Sequence, residues 1–192
     1  MKSQHLARRQ DVIDRAAEIF ARDGFPAGTT KDIAAAVGLS QPAIYHYVGS
    51  KQALLREIAL TVDRDMTAAL EAGLQSSEDA GEQLRGVIGE FTAAVVRGRH
   101  SFAVFWQELN SLDDATRTSI QDDERRFIAT VAGLVARLQD QGRMPPGSST
   151  VLAQAILGIP SWMYRWYQPD GPLGADGLAE LFCALIGLGP EA

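Results

Sequence analysis

The 192-residue sequence contains one cysteine, Cys183, and three histidines, His5, His46 and His100. A single cysteine cannot form an internal disulfide and fits a reducing compartment. None of the histidines has a cysteine, histidine or carboxylate partner at metal-ligand spacing on a helix face. The glycines of residues 81–89 lack the preceding strand and the Gly-Lys-Ser/Thr ending of a phosphate-binding loop. We therefore predict no metal site, no cofactor and no catalytic residue, and do not expect an enzyme.

Long hydrophobic runs are also missing, because the longest apolar stretches are far shorter than a membrane span. No charged segment followed by an apolar one opens the sequence, as it would in a signal peptide. Hydrophobic residues make up 46% of the chain and charged residues 22%, which is enough to bury a core. We expect a cytoplasmic protein without a membrane partner.

Basic residues are in deficit, since the formal net charge is −6. The deficit is uneven along the chain. Residues 1–60 contain 8 Lys and Arg against 6 Asp and Glu, whereas residues 61–192 contain 10 against 18. A basic end on an acidic protein is one indication that this end binds nucleic acid.

The first fifty residues contain the pattern of three helices. The first has apolar residues at the i, i+3, i+4, i+7 spacing of a helix with one buried face, namely Ile13, Ala16, Ala17 and Phe20. Gly24 is placed to end this helix in a left-handed cap. The second helix is predicted to begin at Thr30, whose hydroxyl can cap backbone amides, and to end at Gly38.

Ser40 is predicted to cap the third helix, which has Pro42 in its first turn, where a missing N–H costs nothing. Two short helices are thus joined by the three residues 38–40, which include a glycine. This is the pattern of a helix-turn-helix.

The third predicted helix has polar and aromatic residues but no charge before Lys51. In a helix-turn-helix the second helix lies in the major groove, with its N-terminal residues at the base edges. Gln41 can donate to and accept from an adenine edge, while Pro42 and Ala43 can contact a thymine methyl group. Phosphate contacts position such a unit without reading sequence, and the expected donors are Thr30, Tyr45, His46 and Lys51. The alternative is an ordinary three-helix packing unit with tyrosines half-buried at its edge.

The stretch "TTKDIAAAVGLSQPAIYHYVGSKQALL", with the preceding "AAEIFARDGF", resembles the DNA-binding signature of the TetR family of bacterial one-component repressors. The resemblance runs from Val12 to about Leu55. It implies double-stranded operator DNA as the partner. The positions that it implies to face DNA are Thr30, Lys31, Ser40, Gln41, Pro42, Ala43, Tyr45, His46 and Lys51. Lys31 could reach either a base or only a phosphate.

The rest of the chain also reads as helices, without repeats or strand-like alternation. We predict an all-α fold of about nine helices, with a helix-turn-helix DNA-binding domain at 1–50 and a larger effector-binding and dimerisation domain at 51–192. The last two helices are predicted at about 148–167 and 175–188, on either side of a "QPDGPLG" turn.

The resemblance implies a homodimer formed through these last two helices. Small residues would allow their close approach, namely Ala153, Ala155, Gly158, Ala179 and Ala184. Two reading helices related by a twofold axis could read a palindrome. The alternative is that these helices only close the core of the monomer.

Aromatic residues outside the first domain indicate where an effector could bind, since ligand pockets in helical bundles are mostly apolar. Most such residues should be plain core. The predicted lining consists of Ile88, Phe91, Phe105, Trp106, Phe127, Val131 and Trp162. The segment "WMYRWYQPDGPLGADGLAELF" is similar to TetR-type regulators of lipid and steroid catabolism, which implies a small apolar effector such as an acyl-CoA thioester. Arg97, Arg99 or Arg165 could then face its phosphates.

The hypothesis from the sequence is a ligand-responsive repressor that binds palindromic operator DNA as a homodimer. One alternative is a TetR-type activator without a small-molecule effector. The other is a helical carrier of apolar ligands that does not bind DNA. The steep salt dependence of binding to DNA would distinguish a repressor from such a carrier.

Overall fold

The computed structural model describes residues 2–189, and every regular element among them is helical. The nine α-helices are α1 (Lys2–Asp23), α2 (Thr30–Val37), α3 (Gln41–Val48), α4 (Lys51–Gln75), α5 (Ala80–Arg97), α6 (Arg99–Glu108), α7 (Asp114–Asp140), α8 (Ser149–Ser161) and α9 (Ala175–Leu185). Two 3-10 turns, Leu109–Ser111 and Trp162–Arg165, follow α6 and α8. The predicted all-α fold with nine helices is confirmed for this part of the chain.

The predicted helix ends are mostly confirmed. Gly24 and Gly38 have φ angles of +82° and +66°, in the left-handed region where a side chain is strained. The cap of α2 is an exception, because the hydroxyl that accepts from the Asp32 amide, at 3.2 Å, belongs to Thr29. Capping requires the extended backbone that Thr29 has and the helical Thr30 lacks.

The caps of α3 and α4 agree with the sequence. The Ser40 hydroxyl accepts from the Ala43 amide at 3.4 Å, and Pro42 lies in the first turn of α3. The Ser50 hydroxyl accepts from the Ala53 amide at 3.0 Å at the start of α4. These caps fix where α3 begins and therefore which residues its first turn exposes.

The chain forms two compact units. The first extends to Val62 and includes His100–Ser119, while the second consists of Asp63–Arg99 and the chain from Ile120 onward. In the first unit α1 packs against α2 and α3, and in the second α5 packs against α8 and α9. Each unit has its own fully buried apolar side chains, such as Phe20 and Ile44 in the first and Phe91 in the second.

The start of α5 is fixed by Asp79 in the second unit. Its carboxylate accepts from the Gly81 amide at 2.8 Å and the Glu82 amide at 3.0 Å, and from Arg143 at 2.8 Å. The hydrogen bond from Arg143, followed by those from the amides, lowers the pKa of the Asp79 carboxyl. This cap therefore also ties α5 to the chain that follows α7.

The C-terminal helices are shorter than predicted. The α-helix α8 ends at Ser161, next to Pro160, and the chain continues as the 3-10 turn Trp162–Arg165. The helix α9 ends at Leu185. None of the helices within residues 2–189 combines the length and apolar content that crossing a bilayer requires.

Candidate nucleic-acid interface

One face of α3 is open to solvent, and it contains the residues predicted to read DNA. Gln41, Pro42 and His46 are exposed, and Tyr45 is 44% exposed. The opposite face is buried through Ile44 and Val48, so α3 is held by its apolar side. The exposed face therefore offers amide, imidazole and phenol groups with no carboxylate among them.

Three of the predicted DNA-facing residues form a hydrogen-bonded cluster. The Gln41 side-chain amide donates to Thr30 Oγ1 at 2.8 Å. Thr30 Oγ1 and the Tyr45 hydroxyl are 3.1 Å apart and share a second hydrogen bond. Thr30 is itself only 5% exposed, in the first turn of α2. The helix before the turn thus fixes two side chains of the helix after it.

This cluster leaves free the groups that an adenine edge requires. One Gln41 amide proton bonds to Thr30, so the second proton and Oε1 remain available for N7 and N6 of adenine. If the Thr30 hydroxyl donates to Tyr45, the Tyr45 proton remains available for a phosphate oxygen. Because Thr30 is buried, its position suits holding Gln41 and Tyr45 better than touching DNA.

Lys51 begins α4 and is already in contact with the α1–α2 connection. Its ammonium donates to the Pro26 carbonyl at 3.2 Å and lies 4.6 Å from the centre of the Phe25 ring. An ammonium has three donors, so Lys51 can hold this connection and still contact a phosphate. Lys31 and Ser40 are both exposed beside α3.

The sequence did not indicate the Thr30–Gln41–Tyr45 cluster as a unit. Its members are 11 and 15 residues apart, and no helical periodicity connects positions on two different helices. The same is true of Lys51 and the Phe25 ring. Only the crossing of α2 and α3 brings the members of the cluster together.

The predicted pocket residues lie in different places. Ile88, Phe91, Phe127 and Val131 are in the second unit and at most 5% exposed, with the Phe91 and Phe127 rings edge-to-face at 5.5 Å. Phe105 and Trp106 are in the first unit, also edge-to-face, at 5.1 Å. Trp162 differs from the rest, because it is 55% exposed. The second unit thus contains four of the seven as buried apolar side chains.

Two buried polar atoms have no hydrogen-bond partner among the described residues, the Thr92 hydroxyl and the Trp106 indole nitrogen. Thr92 follows Phe91 on α5 and is completely buried. Such groups are rare in proteins, since leaving one unsatisfied costs about 1–3 kcal/mol. In the second unit, Thr92 is thus a buried hydroxyl with no partner among the described residues.

An open cavity of about 250 Å³ lies at the α8–α9 connection. Its lining is mainly apolar and aromatic and consists of Trp166, Tyr167, Gln168, Gly171, Pro172, Leu173 and Leu178. Nearby, the Arg165 guanidinium lies 4.8 Å from the centre of the Trp162 ring. Arg165 is therefore engaged by an aromatic ring on the protein surface.

In the part of the chain that the structure describes, no three His, Cys, Asp or Glu side chains are grouped as a metal site. Cys183 is buried in α9, and this burial raises the pKa of its thiol. A raised thiol pKa lowers the fraction of the reactive thiolate. Cys183 is thus a packing residue.

Two family models match the chain. "Bacterial regulatory proteins, tetR family" matches residues 12–58, which contain α2 and α3, and "Tetracyclin repressor-like, C-terminal domain" matches residues 77–189. The HTH-type transcriptional repressor KstR2 of Mycolicibacterium smegmatis is 27% identical in an alignment of 194 positions that covers 96% of this chain and 91% of that protein.

Solved structures show the same fold. The TetR family transcriptional regulator PfmR from Thermus thermophilus aligns with a TM-score of 0.83 and 30% identity, over 94% of this chain and 99% of that one. AibR, in complex with isovaleryl coenzyme A and operator DNA, aligns with a TM-score of 0.80 and 24% identity, over 94% and 98%, a likeness of fold. Because the C-terminal model alone matches more than half of the chain, this protein belongs to the TetR family, a family of bacterial transcriptional regulators and not of enzymes.

Proposed function

We propose that the protein is a ligand-responsive transcriptional repressor that binds a palindromic operator as a homodimer. Residues 1–50 would form the DNA-binding domain, and 51–192 the effector-binding and dimerisation domain. The observation that supports DNA reading most strongly is the exposed face of α3, with Gln41 and Tyr45 held by Thr30. Repression is supported by the relative KstR2, which is named a transcriptional repressor.

The contacts divide into base and phosphate contacts. Gln41 is proposed to form two hydrogen bonds with an adenine edge, and Pro42 and Ala43 to meet a thymine methyl group. The proposed phosphate contacts come from Ser40, Tyr45, His46 and from the lysines at either side of α3, Lys31 and Lys51. Such a division predicts that sequence preference and salt dependence respond to different substitutions.

The proposed dimer surface is an apolar stripe on each of the last two helices. On α8 it consists of Val151, Ala155, Gly158 and the adjoining Trp162, and on α9 of Leu181, Ala184 and Leu185, all exposed. Exposed apolar rows of this kind typically mark protein interfaces. Ala153 and Ala179 are buried within the protomer and so belong to its core.

The dimer can be tested at Leu185, which is 68% exposed on α9. Leu185→Glu should change the sedimentation coefficient from that of a dimer to that of a monomer, because a carboxylate would be buried in an apolar interface. Asp140→Asn, at the exposed end of α7, is the matched control and should remain dimeric. A Leu185→Glu variant that still sediments as a dimer at micromolar concentration would contradict this interface.

The effector is proposed to bind within the second unit, among Ile88, Phe91, Phe127 and Val131. These side chains are buried and apolar, and Thr92 beside Phe91 has a hydroxyl without a partner among the described residues. A mainly apolar molecule with one polar group would suit such a lining. An acyl-CoA thioester is one candidate, since AibR, which has this fold, binds isovaleryl coenzyme A.

Release of DNA requires the effector to prefer one arrangement of the dimer, because a ligand without preference shifts no equilibrium. The proposed moving part is α4, which begins at Lys51 beside the reading helix and continues to Gln75 in the second unit. A coupling free energy of about 1–3 kcal/mol would weaken DNA binding by about 5- to 150-fold.

The experiment that tests this function is selection of bound duplexes from a random pool by the purified protein at fixed moderate salt. The proposal predicts a recovered palindrome, whose complex with the protein then serves to titrate isovaleryl coenzyme A and longer acyl-CoA thioesters. Recovery of no sequence by a folded, dimeric protein would instead favour the apolar-ligand carrier. A reporter gene under the recovered operator would distinguish a repressor from an activator by the sign of its response.

A further inference from the structure

Residues 5–7 of α1 lie outside the buried apolar face that holds the rest of this helix. His5, Leu6 and Ala7 are exposed, Leu6 by 63%, and the buried stretch begins only at Val12. Polar contacts hold this segment instead. Arg8 donates to the Val37 carbonyl at the end of α2, at 2.9 Å.

A stacked ring then joins α1 to the reading helix. The His5 imidazole lies on the Tyr47 ring of α3, with centroids 4.9 Å apart and planes at 29°. His46, the neighbour of Tyr47, approaches both rings edge-on, at 5.9 Å from Tyr47 and 6.2 Å from His5. The start of α1 is thereby fixed beside the C-terminal half of α3.

The ring cluster of His5, His46 and Tyr47 has the chemistry of an anion site. Both imidazoles are exposed, and among the described residues neither is engaged in a hydrogen bond or ion pair, so their ring nitrogens can donate outward. Histidine is the side chain that changes charge between about pH 5 and 8, and in its protonated form both nitrogens are donors. Two imidazolium rings 6.2 Å apart repel each other, and an anion bound by both would remove that repulsion.

The charged groups on the helices around this cluster favour an anion as well. The charged residues of α1 nearest to His5 among those described are Arg8, Arg9 and Asp11, α3 contains no charged residue besides its histidine, and Glu57 of α4 pairs with Arg9. Both carboxylates are already paired, Asp11 with Arg8 at 3.3 Å and Glu57 with Arg9 at 3.1 Å. Neither carboxylate is therefore left to neutralise the imidazoles, and the local charge is positive when they are protonated.

We propose that the ring cluster of His5, His46 and Tyr47 binds a phosphodiester of the DNA backbone, so that the start of α1 extends the DNA-binding surface. This inference rests on the proposed function, because α3 must lie on DNA for the cluster to reach a phosphate. Imidazoles bind a phosphate more strongly in their protonated form, in which both ring nitrogens donate. Operator binding should therefore be tighter at about pH 6 than at about pH 8.

The test is fluorescence anisotropy with the duplex recovered by selection, at several salt concentrations and at about pH 6 and pH 8. His5→Gln can still donate to a phosphate but carries no charge, and it should weaken binding at the lower pH by about 2- to 12-fold, because hydrogen bonds from ionised donors are about twice as strong as neutral ones. It should also reduce the slope of log K against log salt by about 0.9 for each subunit bound. At the higher pH the variant and the wild type should differ little.

Two further variants separate a phosphate contact from a structural role. His5→Lys keeps a positive charge at both pH values and should bind tightly at both, although it cannot stack as an imidazole does. Leu6→Ala, at the exposed neighbouring position, should behave as the wild type. If His5→Gln binds the recovered duplex with wild-type affinity and salt slope at the lower pH, the cluster does not bind a phosphate. A wild-type protein that recovers no duplex at all would overturn the proposed function together with this inference.

Discussion

Thr30→Val removes the hydroxyl that holds the exposed side chains of Gln41 and Tyr45 on α3, while it keeps the shape of a β-branched residue. Thr30 Oγ1 accepts from Gln41 at 2.8 Å and pairs with the Tyr45 hydroxyl at 3.1 Å, at a position 5% exposed. A net hydrogen bond contributes about 0.5–1.5 kcal/mol to folding. Since Gln41 and Tyr45 are exposed, their freed groups are hydrated, and we expect a stability loss of only about 1 kcal/mol.

The effect of Thr30→Val on DNA binding should be larger than its effect on stability. Without the Thr30 hydroxyl, Gln41 and Tyr45 become ordered only when DNA binds, and immobilising each side chain reduces the binding free energy by about 0.5–1.5 kcal/mol. For Gln41 and Tyr45 together this is about 1–3 kcal/mol, or about 5- to 150-fold in affinity for each half-site. Thr30→Ser retains the hydroxyl and should stay close to the wild type.

The assay for Thr30→Val is anisotropy with the selected duplex and with a mixed-sequence duplex of the same length. The loss should be larger with the selected duplex, for which both Gln41 and Tyr45 must be ordered, than with the mixed one, for which only the phosphate contact of Tyr45 is affected. A shift of Tm of about 2–4 °C is expected alongside. Wild-type affinity for the selected duplex, or an equal loss with both duplexes, would refute the ordering of the reading helix by Thr30.

Single-site variants test three other parts of the structure. Gln41→Ala should reduce the preference for the selected sequence by about 1–3 kcal/mol, whereas Lys51→Ala should weaken binding to all duplexes and lower the salt slope by about 0.9 per half-site. If both variants lose the same amount of sequence preference, Gln41 and Lys51 do not divide into a base contact and a phosphate contact. Thr92→Val should raise the free energy of unfolding by about 1 kcal/mol in urea titrations, because it removes an unsatisfied buried hydroxyl. A variant less stable than the wild type would show that the Thr92 hydroxyl has a hydrogen-bond partner. The pKa of Asp79 is lowered mainly by its hydrogen bond from Arg143, so the ionised carboxylate should stabilise the protein at pH values above the usual carboxyl pKa and lose this contribution as the pH falls through the lowered pKa. In urea titrations Asp79→Asn should therefore be less stable than the wild type at neutral pH and equally stable in acid. A loss of stability that is independent of pH would show that it does not come from the ionised carboxylate.

The parts of the structure that the sequence predicts correctly depend on neighbouring residues. The left-handed Gly38 and the Ser40 cap are signals within one turn of a helix, so they locate α2 and α3 without knowledge of the tertiary fold. The predicted N-cap of α2 is wrong by one residue, since Thr29 and Thr30 are both capping types and only the backbone conformation distinguishes them. The helix predicted to continue to about residue 167 ends at Ser161, next to Pro160.

The candidate site is less predictable because it depends on contacts between helices. That Thr30 donates to a phosphate stays a prediction, whereas its hydrogen bonds with Gln41 and Tyr45 could not be predicted from its residue type. His5 gave no signal in the sequence, since its only distinction is the Tyr47 ring against which it stacks. Apolar residues are equally hard to assign from the sequence. In α8 and the turn after it, Ile156 is buried in the core whereas Val151 and Trp162 are exposed, and the sequence does not distinguish them.

The proposed function requires two copies of α3 in one dimer to read two half-sites on the same face of DNA. Half-sites one helical turn apart are separated by about 34–36 Å. Insertion of about five base pairs between them turns one half-site to the opposite face of the duplex. We expect the affinity for such a duplex to fall to that for a mixed-sequence duplex. An unchanged affinity would contradict the reading of two half-sites by one dimer.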